Sequence, residues 1–185
     1  TGAISMNVIF NDFKLVEGAK LFLYSKDHEM LQGAYTSLNN NENEMLGSDL
    51  IKGDDIVIEL FEPANTNESS RLQIGTVVHG YKDINGWAPE KINESGSCNM
   101  NADCPDGDLW GNEKNSVARI LNGGGLCTGT LVNNTANDGT PYFLTANHCS
   151  PQSMGGAVFR FDYRSPNCTP TAAPSHNRII NGSVF

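Results

Sequence analysis

The residues best suited to chemistry form the run TANHC at positions 145–149. An apolar stretch at 142–146 predicts a strand whose end delivers His148, and the neighbouring Cys149 can bond back to Cys127 on the preceding strand. The small side chain of Ala146 lets other groups approach closely. A general base needs such fixed geometry, because proton transfer works only within hydrogen-bonding reach. The pattern therefore predicts an acid–base site at His148.

The elements around this run are predicted to be short strands. A strand at 129–133 precedes a hairpin turn at 134–140, whose core is Asp138–Gly139, because an Asp-Gly pair favours the tight turn of a hairpin. Further strands are predicted at 119–121, at 157–163, and as two short strands within 178–185 around Asn181–Gly182.

The first half of the chain also reads as β structure. Alternating or apolar runs bounded by polar turns predict strands at 5–13, 20–24, 33–36, 56–61 and 73–81. Regularly spaced short strands are typical of a β-sandwich or jelly roll. We therefore predict an all-β chain with a sandwich domain at 1–84, a linker at 85–94 and a second β domain at 95–185.

Composition and charge exclude two classes of partner. The chain has 185 residues and a net charge of −9, and its Lys and Arg residues are not clustered. Phosphate binding needs clustered cations, so no nucleic-acid partner is expected. No apolar run approaches the ~20 residues that cross a bilayer, so no membrane partner is expected either.

Five cysteines all lie in the second half of the chain, and none forms a C-x-x-C pair. A zinc or redox motif is therefore disfavoured, whereas disulfides in an oxidising compartment are favoured. This predicts a secreted protein, extracellular or periplasmic. The odd count leaves one thiol free or paired outside this chain.

The segment around His148 resembles the histidine loop of trypsin-like proteases, and more closely that of the bacterial lysyl endopeptidases. The runs LVNNTAN at 131–137 and YFLT at 142–145 are typical of that family, and SGSCNMNADCPDG at 95–107 resembles the start of its mature enzyme. The resemblance covers about residues 95–185. It implies that this region is part of the first barrel of a double β-barrel serine endopeptidase.

The resemblance also implies roles for individual residues. His148 is the general base of a Ser-His-Asp triad, Cys127 pairs with Cys149, and Cys104 pairs with Cys168. Cys98 pairs with a cysteine beyond residue 185. The implied substrate is a protein or peptide, with cleavage after Lys, and no cofactor is needed.

Two departures from the family are visible. Asn147 stands where the family usually has a second histidine, which is not the catalytic base. The triad Asp and the Gly-x-Ser-Gly nucleophile motif are absent from these residues, and Asp162 is interpreted as an exposed strand residue. The 185 residues alone are therefore expected to be inactive, and the remainder of the protease, in one alternative a separate fragment, is the expected partner.

The N-terminal domain admits several functions: a propeptide, a folding or inhibitory module, or a binding domain. Lys91 lies in the linker, and a Lys-specific protease could cut the peptide bond after it in its own zymogen. This cleavage would free an amino terminus at Ile92. The alternative to an enzyme is a non-catalytic secreted binding or adhesion protein on a protease-like scaffold.

No metal site is predicted. His28, His79 and His176 lack a metal-like partner two or four residues away. The acidic run at 103–108 hints at a calcium loop, but the full EF-hand pattern is missing.

Overall fold

The computed structural model describes residues 2–85, 87, 98–150, 153–169 and 178–182. It is built mostly of antiparallel strands with little helix, so the predicted all-β class is confirmed. None of the helices within these ranges is long and apolar enough to span a membrane.

The first half of the chain forms two antiparallel sheets. Their strands are β1 (Ser5–Lys14), β2 (Lys20–Tyr24), β3 (Leu31–Tyr35), β4 (Leu46–Gly47), β5 (Ile51–Lys52), β6 (Val57–Phe61) and β7 (Arg71–Gly80). In one sheet β1 pairs with β7 on one side and with the short β4 and β5 on the other, and the second sheet has the order β3-β2-β6. The sequence did not predict β4 and β5, because two-residue strands are too short to show an alternating pattern.

The two sheets share one apolar core, which makes this half a sandwich. Val8, Phe10 and Phe13 reach this core from β1, and Leu21 and Leu23 reach it from β2. A perfect strand would send residues 10 and 13 to opposite faces. The register of β1 against β7 skips a residue between Phe10 and Asp12, and this bulge returns Phe13 to the core side.

The second half begins with a 3₁₀ turn (Pro105–Trp110) and a short helix α1 (Gly111–Ser116), which the sequence did not predict. The strands that follow are β8 (Val117–Asn122), β9 (Gly125–Val132), β10 (Tyr142–Thr145), β11 (Val158–Phe161) and β12 (Arg178–Asn181). They form one antiparallel sheet in the order β10-β9-β8-β11-β12. The second of the two short strands predicted within 178–185 lies beyond the described residues.

One face of this sheet carries its own core, formed by Ile120, Met154, Phe159 and Phe161 with Phe143 packed against them. Across the parts of the chain that the structure describes, β10 pairs with β9 alone and β12 with β11 alone, so the sheet is open between β10 and β12.

The other face of the same sheet packs against the N-terminal half. Leu121 of β8 and Val158 of β11 form a buried cluster with Leu50, and Ile84 and Trp87 pack against it. The described positions of the predicted linker, Asn85 and Trp87, therefore lie in this contact.

We expect the N-terminal core to dominate the stability of the sandwich. Leu21→Ala removes a fully buried side chain and should lower the free energy of unfolding by about 2–5 kcal/mol, because it leaves a cavity between the sheets. Leu38→Ala makes the same chemical change at a side chain that is 93% exposed, and should change stability by less than about 0.5 kcal/mol. Urea unfolding of both variants checks this; equal losses would contradict the assigned core.

Candidate active site

His148 lies in a 3₁₀ turn, Asn147–Cys149, that begins directly after β10. The turn is closed by the Cys149 amide, which donates to the Ala146 carbonyl at 2.9 Å. Immediately before it, the Thr145 hydroxyl donates to the Thr128 carbonyl on β9 at 2.9 Å. The end of β10 is therefore tied to its neighbour where the histidine begins, and the imidazole itself is exposed to solvent.

A disulfide fixes the same turn from its other end. Cys149 is joined to Cys127 of β9, with their Cα atoms 5.8 Å apart. This is the pair that the sequence analysis expected. Because Cys149 follows His148 directly, the bond anchors the backbone of the histidine to β9, the strand next to β10.

Gly129 permits the close approach of β9 and β10 at this point. It lies opposite Thr145 in the strand register. A Cβ atom at residue 129 would lie 2.6 Å from the Leu144 carbonyl oxygen and would also overlap the Phe143 ring. Any larger residue would push β10 away and move the turn that carries His148.

One imidazole nitrogen of His148 and the sulfurs of Cys127 and Cys149 lie within 4.8 Å of one another. Such a cluster could hold a metal ion through thiolates. Here both sulfurs are oxidised in the disulfide, so neither offers a thiolate. The arrangement instead provides an accessible imidazole on a rigid support, which suits proton transfer to and from a bound molecule.

Asp162 differs from the expectation of an exposed strand residue. It follows β11 with a positive φ of 56°, and its side chain is 26% exposed. Its carboxylate accepts a hydrogen bond from Arg178 Nε at 2.8 Å. The strand ends two residues earlier than predicted, at Phe161, and Asp162 beyond it is an ion-pair partner of Arg178.

The second disulfide lies away from His148. Cys104 is bonded to Cys168, and the side-chain amide of Asn101 donates to the Cys168 carbonyl at 2.6 Å. It joins the segment before α1 to the segment after β11, as the resemblance implied. Cys98 is exposed and carries a free thiol.

Two further expectations concern residues outside the site. Asp103, from the calcium-like acidic run, is held by Lys114 Nζ at 3.0 Å and Arg164 Nε at 3.4 Å, so cations already balance its carboxylate. Lys91 and Ile92, the expected processing residues, lie outside the described residues.

Sequence reasoning missed one charged cluster. Alternation along 157–163 places Arg160 on a face that the sequence gave no reason to bury, yet its side chain is 0% exposed. Arg160 Nε donates to Asp49 Oδ1 at 2.7 Å, and Nη1 donates to Asn85 Oδ1 at 2.7 Å. A cation inside an otherwise apolar strand was the available signal, but its partners are distant in sequence and could not be inferred.

The hairpin before β10 is held by its own side chains. Asp138 Oδ1 accepts from the Asn134 side-chain amide at 2.7 Å and from the Thr140 amide at 2.9 Å. A hydrogen bond from the Thr140 side chain, together with those from the Asn134 side chain and the Thr140 amide, favours the charged carboxylate and lowers the pKa of Asp138 to about 2. The turn predicted from Asp138–Gly139 therefore pairs Val132 of β9 with Tyr142 of β10. This pairing sets the position of β10 in the sheet.

Comparison with known proteins identifies the family of this chain. A family profile described as the lysyl endopeptidase C-terminal domain matches residues 92–184, half of the chain. The lysyl endopeptidase of Pseudomonas aeruginosa is 30% identical in an alignment 162 positions long, which includes 77% of this chain. The alignment therefore reaches into the N-terminal half. It covers 32% of the relative, so the chain spans about a third of that protein's length.

The hairpin should respond to acid in a defined direction. Because the folded pKa of Asp138 is lowered, its hydrogen bonds stabilise the hairpin fully above the unfolded pKa near 4 and are lost as the pH falls through about 2. The carboxyl ¹³C shift of Asp138 should titrate with a midpoint near 2. In Asn134→Ala, which removes one donor, the midpoint should rise toward 4. An unperturbed midpoint in both proteins would rule out these hydrogen bonds in solution.

Proposed function

Because the chain belongs to the lysyl endopeptidase family, we propose that it is the N-terminal part of a secreted serine endopeptidase in which His148 is the general base. The observation that carries this proposal is the exposed imidazole at the end of β10, anchored on both sides by the Thr145 hydrogen bond and the Cys127–Cys149 disulfide. A general base must be accessible to its proton donor and still hold its position, and this turn meets both requirements.

In the proposed reaction a serine hydroxyl from the remainder of the protease attacks the carbonyl carbon of a peptide bond. His148 takes the hydroxyl proton and returns it to the leaving amine, which leaves an acyl-enzyme. Water then attacks the acyl carbon and gives a proton to His148, which passes it to the serine oxygen as the acyl–oxygen bond breaks and the carboxylic acid product leaves. The Asp that orients the imidazole and the serine itself are assigned to the rest of the protein, so we expect residues 1–185 alone to be inactive.

The open sheet supports the need for that remainder. The two edge strands of the described sheet, β10 and β12, carry exposed apolar side chains, namely Tyr142, Leu144, Ile179 and Ile180. Free strand edges bordered by apolar side chains favour pairing with another strand. We propose that the rest of the protease covers this opening, and that Cys98 pairs with a cysteine there.

The substrate is proposed to be a protein or peptide cut after lysine, as the family's name indicates. The residues that would select the lysine side chain are assigned to the remainder of the protein. Secretion is proposed because two disulfides need an oxidising compartment to form and persist.

The role of His148 is tested in the full-length protein. His148→Ala should lower kcat/KM for a lysine-containing peptide about 10⁴-fold or more, because the serine loses its proton acceptor. His79→Ala, a change of the same kind at an exposed position on β7, should retain wild-type activity. Circular dichroism checks that both variants are folded.

Two results would count against the proposal. Equal activity of His148→Ala and the wild type would remove the histidine from the reaction. A folded full-length protein that hydrolyses no peptide would favour the alternative, a binding protein on a protease-like scaffold. Substrates with Arg in place of Lys before the scissile bond test specificity separately.

We also propose that the active form arises by cleavage between Lys91 and Ile92. The match to the C-terminal domain of the family begins at residue 92, directly after the lysine. Amino-terminal sequencing of the active form should therefore read Ile-Asn-Glu-Ser. Lys91→Gln should slow the appearance of this form, and a start elsewhere would overturn the assignment.

A further inference from the structure

Arg160 lies at the centre of the contact between the two halves of the chain. It belongs to β11, whereas its partner Asp49 lies between β4 and β5, 111 residues earlier. Both side chains are nearly inaccessible, at 0% and 7% exposure. Asn85 completes the set by accepting from Arg160 Nη1. A buried guanidinium is tolerated only where such partners satisfy it.

Apolar contacts surround this ion pair. Leu121 and Val158 on the sheet meet Leu50, and Ile84 and Trp87 pack against the same cluster. The residues that meet the sheet come from the N-terminal half and from the segment up to residue 87. A charged anchor within a small apolar patch resembles a protein–protein interface more than the core of one domain.

A second contact is made by backbone against backbone. A Cβ atom at Gly47 would overlap the Gly156 carbonyl, and one at Gly156 would lie 2.6 Å from Ile9 Cγ2. The Asn181 side-chain amide also donates to the Gly47 carbonyl. At Gly47 the backbones of the two halves therefore approach so closely that only glycine fits.

The contact does not include His148. Arg160 and Val158 lie on the outer face of β11, whereas His148 follows β10, an edge strand of the same sheet. The N-terminal half covers the outer face of β8 and β11, while the imidazole stays exposed.

We propose that the N-terminal segment, residues 2–85 with Trp87, is a separable subunit that docks on the outer face of β8 and β11 through Asp49 and Gly47. After cleavage in the linker it stays bound without covalent attachment, and it stabilises that face without blocking the catalytic histidine. The cleavage and the activity measurement rest on the proposed function, whereas the docking itself does not.

The test uses the full-length protein with His148→Ala, so that no self-digestion occurs, and with a recognition site for an unrelated protease placed within residues 88–97. After cutting, the N-terminal fragment should co-elute with the rest of the protein in size-exclusion chromatography. Asp49→Asn leaves Arg160 without its counter-charge, and Gly47→Ala inserts a methyl group between the backbones. Each should weaken retention of the fragment at least tenfold.

Matched controls separate docking from folding. Asp12→Asn removes a carboxylate from an exposed ion pair with Arg71 in the same half. Gly111→Ala adds a methyl group where nothing lies within 4 Å. Both should retain the fragment as the parent protein does, and circular dichroism of the uncut variants should match the parent.

The docking site would be wrong if the fragment separated at once from the cut protein without further substitutions. It would also be wrong if the Asp49→Asn and Gly47→Ala variants both retained the fragment. In the active protein, added N-terminal fragment should leave hydrolysis of a small peptide unchanged within twofold, and strong inhibition would overturn the claim that the histidine stays open. Because the elution experiment needs no activity, failure of the proposed chemistry would leave its result interpretable.

Discussion

The arrangement of the two halves depends on the need of one buried cation for a partner. Arg160 is inaccessible to water, and removing one member of a buried ion pair costs about 3–5 kcal/mol because the other is left uncompensated. Within the described part of the chain its hydrogen bonds go to Asp49 and Asn85, so the sandwich cannot slide or rotate on the sheet without losing them. Apolar contacts add area to this interface, but the ion pair fixes its geometry.

Features set by neighbouring residues were predicted from the sequence. The hairpin before β10 follows from Asp138–Gly139, and the position of His148 follows from an apolar strand that ends beside a cysteine. The all-β class follows from many short alternating runs separated by polar turns. The pairings of four cysteines were implied by the family resemblance, and spacing alone could not have chosen among the alternatives.

Features set by distant residues were not predicted. Alternation marks two faces of β11 but does not say that a second domain covers the outer one, so the burial of Arg160 was missed. The bulge that redirects Phe13 and the strands β4 and β5 arise from pairing with β1, which no local pattern reveals. The prediction that Asp162 is an exposed strand residue was wrong because the strand ends before it. Asp162 itself has a positive φ, which non-glycine residues seldom adopt.

The long span between Asp49 and Arg160 has a consequence for the order of events during synthesis. Every strand of the sandwich lies within residues 5–80, so this half can close its core before β8 leaves the ribosome. Contacts between distant parts of a chain form slowly because a large loop must be closed first. When β11 emerges, however, the sandwich that carries Asp49 is already folded. Arg160 therefore binds a formed surface and not an unfolded segment.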